Sequence, residues 1–333
     1  MISRLLSATL VPTPPATGNE AEARARRLRT VAGVAVAIAL LFLAASLTTP
    51  GFLTLENMLI VLRAASITGI VALGMAYLTI SGNLFALSAE ELAILAACVF
   101  AWLMRDQFDL ASSIGLALLF AAAAGALQGA IIALGADPII TTLAFGALFR
   151  GLSSLVSSNK NILLGTKAAE WLGTGRPLGI PTQSWAFVLL TGAAWFVLQR
   201  TRFGRVLLLI GANRNAAAAT GLRVGQASLV AMTLFGLCCG IAGVSAAAQF
   251  GLAVSNLFTG LNIDVVAAVL VGGISLRGGQ GSPIQAALGA VFIALLQNLM
   301  LLHSFTAGRR MLVVGCLVAV ATLGFHMVQR RRG

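Results

Sequence analysis

The sequence is poor in charge. Of its 333 residues, 10 % are Asp, Glu, Lys or Arg, where a soluble globular domain carries about 25 %. Such a chain cannot cover a folded surface with polar groups. That excludes a soluble enzyme, a disordered protein and a secreted disulfide scaffold. Acids are scarcer than bases, 10 against 22, and only Lys160 and Lys167 among the bases are lysines. Neither follows a glycine, and no G-x-x-x-x-G-K-[ST] run occurs, so the chain has no P-loop for ATP. The two histidines, His303 and His326, lie far apart, and without H-E-x-x-H they set up no zinc site. His303 reads as an interfacial residue. The cysteines Cys98, Cys238, Cys239 and Cys316 sit inside apolar runs as small hydrophobic residues, with neither metal spacing nor a disulfide framework. The 36 glycines follow no G-X-Y period, which excludes collagen and fits closely packed membrane helices. No cofactor or metal is expected.

What is abundant is apolar surface: 59 % of the residues, with a mean hydropathy of +0.96. The solvent of this chain is mostly lipid. A net charge of +12 would point to nucleic acid in a soluble domain, but here the positions decide against it. Arg24, Arg26, Arg27 and Arg29 precede the first apolar run, and Arg330, Arg331 and Arg332 follow the last. Arg200, Arg202, Arg205, Arg214 and Arg223 crowd one central polar stretch. These are the flanks and loops where a positive-inside topology places cations.

A span needs about 20 apolar residues. Candidate spans are 31–48, 58–81, 84–104, 111–135, 138–156, 184–199, 226–248, 262–276, 284–302 and 311–328. The fold expected is all-α, a polytopic membrane protein of about eight to ten transmembrane helices, some broken or re-entrant. Val31 to Leu47 exceeds the usual 7–15-residue core of a signal peptide and reads as an uncleaved first span. Residues 1–30 read as a disordered cytoplasmic tail, 31–328 as the membrane domain and 329–333 as a cytoplasmic C-terminal tail. Charge bias puts 200–225 inside and 157–183 outside, with Arg309 and Arg310 against the trend. Only Ser81-Gly82-Asn83 parts spans two and three, so that turn is expected at membrane depth, buried in protein.

Polar residues inside a membrane are costly and are functional candidates by default. The candidates for a translocation path are Asn83, Ser88, Gln128, Asn262, Gln297 and Asn298. Glu90, Glu91, Thr141, Thr142 and Asp264 join them as intramembrane polar groups. Glu90 and Glu91 point about 100° apart on a helix, so at least one is expected to cap, snorkel or pair with Arg63 or Arg150. Gln297 and Asn298 serve equally as interhelical hydrogen-bond glue. Asp137-Pro138 reads as an N-cap followed by proline at the first helical position. Gly125-x-x-x-Gly129 and Gly236-x-x-x-Gly240 permit close helix approach, read here as packing within the chain. Gly278-Gly279-x-Gly281 looks like a phosphate cradle but follows a membrane segment and no βαβ strand, which argues against nucleotide.

The central stretch is the most informative. Thr201-Arg202-Phe203-Gly204-Arg205 leads to Gly211, Asn213, Arg214 and four alanines, Ala216 to Ala219, before Gly221. The alanines favour helix, Asn213 or Asn215 can cap it, and Gly221 can end it. The reading is a short helix over about 211–222 on the cytoplasmic face. Interfacial anchoring on anionic lipid is its bland role, but it lacks a large apolar face for lipid. Small side chains suit a helix pressed into another protein's groove.

These residues resemble the permease subunit of monosaccharide (ribose-type) ABC importers, from about Phe52 to Leu323. The motifs are Gly74-Met75-Ala76, then Gly173-x-Gly175-Arg176-Pro177-Leu178-Gly179-Ile180-Pro181, then Thr201-Arg202-Phe203-Gly204-Arg205 with Gly211-x-Asn213. The fourth is Asp264-x-x-Ala267-Ala268-x-x-x-Gly272-Gly273-x-Ser275-Leu276-x-Gly278-Gly279-x-Gly281. One motif departs: where the family usually has Gly-Gly-Ile-Asp-Leu-Ser-Val-Gly, this chain runs Gly82-Asn83-Leu84-Phe85-Ala86-Leu87-Ser88-Ala89-Glu90. The Asp position falls on Phe85 or Ala86, depending on alignment. The resemblance implies alternating access in the cytoplasmic (inner) membrane, a second permease copy or paralogue, a separate ABC ATPase subunit and a periplasmic sugar-binding protein. It implies an ATPase-coupling role for the central helix, with Arg205, Gly211, Asn213, Arg214, Ala217, Ala218 and Gly221 as its residues. Other small solutes (a nucleoside, polyol or branched-chain amino acid) and an ion-coupled secondary transporter are the alternatives.

Overall fold

In a computed structural model the apolar segments become helices of full, interrupted and half length. The structure describes residues 18–83, 85–158, 160–164, 168–254 and 256–330. In chain order the helices are α1 (Gly18–Thr48), α2 (Leu55–Ile80), α3 (Ala89–Arg105), α4 (Leu110–Ala133), α5 (Pro138–Ser157) and α6 (Ala168–Thr174). Then come α7 (Thr182–Arg200), α8 (Arg202–Ala212), α9 (Arg214–Ala219), α10 (Val224–Phe250), α11 (Leu261–Val271), α12 (Pro283–Leu302) and α13 (Ala307–Arg330). Strand is confined, among the described residues, to an antiparallel pair, β1 (Ile162–Leu163) with β2 (Leu252–Ala253).

By length and composition, six described helices can cross a membrane: Val31–Thr48 of α1, then α2, α4, α5, α10 and α12. With α3, α7, α11 and α13 they account for the ten apolar segments of the sequence. At 1.5 Å per residue, the 11 residues of α11 span about 16 Å, roughly half of a ~30 Å hydrocarbon core. α11 is thus the short, interrupted segment among the ten.

The centre is built from α2, α3 and α10. Among the spans these are the ones that other helices cover most fully. Burial runs unbroken from Gly69 to Ile80 in α2 and from Leu92 to Cys98 in α3. Close approach depends on glycine. A Cβ at Gly125 would strike the Met232 carbonyl, one at Gly236 the Ala121 carbonyl, and one at Gly129 would stand 2.8 Å from Leu229 Cα. Rising numbers on α4 meet falling numbers on α10, so the two are antiparallel, and both Gly-x-x-x-Gly motifs are used within the chain.

Local chemistry sets the helix starts. Asp137 Oδ1 accepts from the N–H groups of Ile139 (2.9 Å) and Ile140 (3.0 Å), with Pro138 opening α5. Ser282 caps α12 ahead of Pro283. Within the stretch 1–30 that reads as a tail, α1 begins at Gly18. Glu20-Ala21-Glu22-Ala23-Arg24-Ala25 are strong helix formers with no proline among them, so the helix extends outward from the apolar run. Residues 1–17 and 331–333 of the two expected tails lie outside the described residues, and α13 continues to Arg330.

The two ends of the bundle differ. At one, the turn Ser81–Asn83 meets the end of α8 and the loop before α12: Gly279 N–H donates to the Ile80 carbonyl at 2.8 Å, and a Cβ at Gly82 would lie 3.7 Å from Gly211 Cα. This turn sits beside Arg214 and Arg277, at the arginine-rich end, not at the midpoint of the bundle. α3 begins at Ala89, with five residues between it and this turn. At the other end α6 packs on α10, and a Cβ at Gly173 would run into the Ala248 backbone.

Candidate functional site

Two polar groups hang on the first turn of α11. Gly260, with φ +92°, precedes the helix and offers no side-chain cap. Its N–H instead donates to Glu90 Oε2 at 3.0 Å, which places a carboxylate at a helix N-terminus, the favourable end for negative charge. Glu90 Oε1 stands 3.9 Å from Arg150 Nη2 on α5, the one ion pair among the described residues. Asn262 Oδ1 accepts from the Glu90 N–H at 3.0 Å, and its Nδ2 lies 3.2 Å from both the Leu87 carbonyl and Glu91 Oε2. The neighbouring glutamates thus diverge as helix geometry requires: Glu90 holds Gly260 and Arg150, and Glu91 accepts from Asn262. On the other side of α11, Asp264 Oδ1 accepts from Gln297 Nε2 at 2.8 Å. Gln297 borders a cavity.

The remaining path candidates lie elsewhere. Ser88 Oγ donates to Gln128 Oε1 at 2.8 Å, both fully buried between α3 and α4. Asn298 and Asn57 form a reciprocal buried amide pair, 2.7 and 3.1 Å, joining α12 to α2. Asn83 is buried at the arginine-rich end, where its Nδ2 donates to Ser228 Oγ at 3.1 Å. The structure therefore brings Asn262 and Gln297 to the two sides of one short helix, and leaves Asn83, Ser88, Gln128 and Asn298 inside helix contacts. At the departure from the family motif, Ala86 is buried with its N–H on Met75 Sδ at 3.3 Å, and Phe85 is half-buried.

The expected central helix is two helices. α8 runs through Gly211, and α9 begins after a break at Asn213, whose Oδ1 accepts from the Ala216 N–H at 3.0 Å. Asn213 is extended because its side chain has taken over capping, a competition typical of asparagine. Gly211 is not a boundary glycine: a Cβ there would strike the Ile80 carbonyl. Gly221, with φ +81°, does end the element in open space. On α9, Ala217 is buried, whereas Ala216, Ala218, Ala219 and Arg214 are exposed, as is Arg205 on α8.

The family described as the permease component of the branched-chain amino acid transport system matches residues 57–321. The chain belongs to that permease family. It is similar to the ribose import permease protein RbsC of Escherichia coli K12, 32 % identical over 293 residues, covering 86 % of this chain and 91 % of that protein. RbsC of Bacillus subtilis is 30 % identical over 287 residues, covering 85 % and 89 %. The L-arabinose ABC transporter permease protein AraH of Azospirillum brasilense is 28 % identical over 315 residues, covering 94 % and 93 %.

This permease is a multi-pass inner-membrane protein. Sequence reasoning missed several of its polar positions. Asn57 is one, an apparent span-flanking residue until Asn298 is seen opposite it. Arg310 is another, brought by α13 to the same cavity as Gln297 and Asp264. Its signal was present: with Arg309 it stands against the positive-inside bias of every other cluster.

Proposed function

We propose that this permease is the membrane-spanning subunit of an ABC importer that carries a monosaccharide inward by alternating access. The observation that carries the reading is the match to ribose and arabinose permeases over most of both chains. In this reading the chain binds no nucleotide. ATP is hydrolysed by a separate ABC ATPase subunit, which docks on α8 and α9. A second permease copy or paralogue completes the path, a periplasmic sugar-binding protein delivers the solute, and membrane lipid surrounds α1. Residues 18–30 and 200–225 face the cytoplasm, and the 157–183 stretch faces outward, because cations are retained inside.

The three carboxylates around α11 support a solute path over ion coupling. Glu90, Glu91 and Asp264 each already hold a protein donor and organise α11. The test is reconstitution of the permease with its ATPase and binding protein in vesicles. ATP-dependent uptake of D-ribose or L-arabinose is expected. Uptake driven by a sodium or proton gradient in the chain alone would overturn the reading.

A further inference from the structure

One cavity, of about 310 Å³, lies between α2, α11, α12 and α13. That is the small end of the roughly 300–1,000 Å³ typical of ligand pockets, a size for a small solute. Chain direction places it. The start of α12 follows the loop that touches α8, so the last turns of α12, with Gln297, lie toward the opposite end. Arg310, in the opening turn of α13, lies there too.

Asp264, Gln297 and Arg310 bring charge and an amide to the cavity, and Thr68 and Thr259 also line it. Asp264 is held by Gln297 through Oδ1, and its Oδ2 takes no hydrogen bond from the described residues. The Arg310 guanidinium makes no ion pair with them, and its Nε is shielded from solvent without a partner. A buried donor left unpaired is rare and calls for an explanation. Ile263, Ile293 and Met311 supply an apolar wall. One free acceptor, one free fork of donors and an apolar wall make a site with no net charge. Sugar hydroxyls both donate and accept, and a sugar ring carries an apolar C–H face.

We propose that this cavity is a reception site for a neutral monosaccharide. Asp264 Oδ2 accepts from one hydroxyl, Arg310 donates to another, and Gln297 is the positioning residue that fixes the carboxylate. The proposal rests on the reading of the solute as a sugar. A zwitterionic amino acid is the competitor, since its ammonium and carboxylate match the same acid and base.

The test uses the assembled importer in nanodiscs, with Cys316→Ser removing the exposed native thiol and Ile263→Cys placing a reporter on the cavity wall. D-ribose or L-arabinose at millimolar concentration is expected to slow maleimide labelling several-fold, L-leucine is not, and Asp264→Ala is expected to abolish the protection. In sealed vesicles holding the importer without the reporter, Arg310→Gln is expected to lower maximal uptake about tenfold, the loss of one charge-assisted hydrogen bond. Protection by L-leucine alone would overturn the sugar assignment. No protection and undiminished Arg310→Gln uptake, in a complex that still imports ribose, would overturn the site and leave the proposed function standing. A wild-type complex importing neither sugar would instead sink the functional reading, and the site with it.

Discussion

Arg214 Nη1 donates to Asn83 Oδ1 at 3.1 Å, across 131 residues of sequence. The same Asn83 amide donates to Ser228 near the start of α10. One side chain therefore joins the exposed α9, the turn that ends α2, and the first turns of α10. Both long helices belong to the buried centre, so a displacement of α9 has a direct mechanical route to them. Asn83, a candidate for the solute path, also links α9 to α2 and α10 through these contacts.

Breaking that link should weaken coupling more than folding. Arg214→Ala is expected to lower uptake by about fivefold, the low end of typical coupling energies, while the complex still assembles. Asn83→Leu should do at least as much, because it also strands Ser228. Together the two substitutions should be no worse than Asn83→Leu alone. Uptake and the ATPase response to loaded binding protein, measured in vesicles, check this; additive losses would show that the pair does not act as a unit.

Ala217 and Ala218 should respond oppositely to tryptophan. Ala218 is exposed, so Ala218→Trp is expected to leave the permease folded and abolish stimulation of the ATPase. Ala217 is buried, and Ala217→Trp is expected to destabilise the permease itself by about 1–3 kcal/mol, the usual cost of overpacking. Thermal unfolding in detergent separates the two effects. Normal coupling in the Ala218 variant would remove α9 from the docking surface.

The Asn57–Asn298 pair predicts a stability effect without a transport-specific one. Asn298→Leu leaves the buried Asn57 amide without its partner, at a cost of about 1–3 kcal/mol. Replacing both by Leu should recover part of that loss, since no amide is then stranded and only the Phe52 carbonyl loses a donor. A double-mutant cycle on unfolding midpoints reads this coupling. If Asn298→Leu keeps full stability but stops uptake, Asn298 belongs to the path after all.

Topology can be read by thiol labelling of intact cells in the Cys316→Ser background. Leu178→Cys, at a position 89 % exposed, is expected to label from outside. Arg214→Cys should label only after permeabilisation. The reverse pattern would invert the orientation derived from the arginines.

Much of this protein follows from its sequence. Low charge and continuous apolar runs fix lipid as the solvent and place the ten apolar segments, because both depend only on local composition. Caps are equally local: Asp137 and Asn213 each act on N–H groups two or three residues away. What tertiary structure alone decided is the use of each polar side chain. Gln297 and Asn298 are adjacent and chemically alike, yet one faces Asp264 and the cavity while the other is sealed against Asn57. Neighbours on a helix point about 100° apart, so their surroundings are set by which helices pack there. That choice rests on contacts between residues hundreds of positions apart, such as Asn57 with Asn298, and no local pattern encodes them.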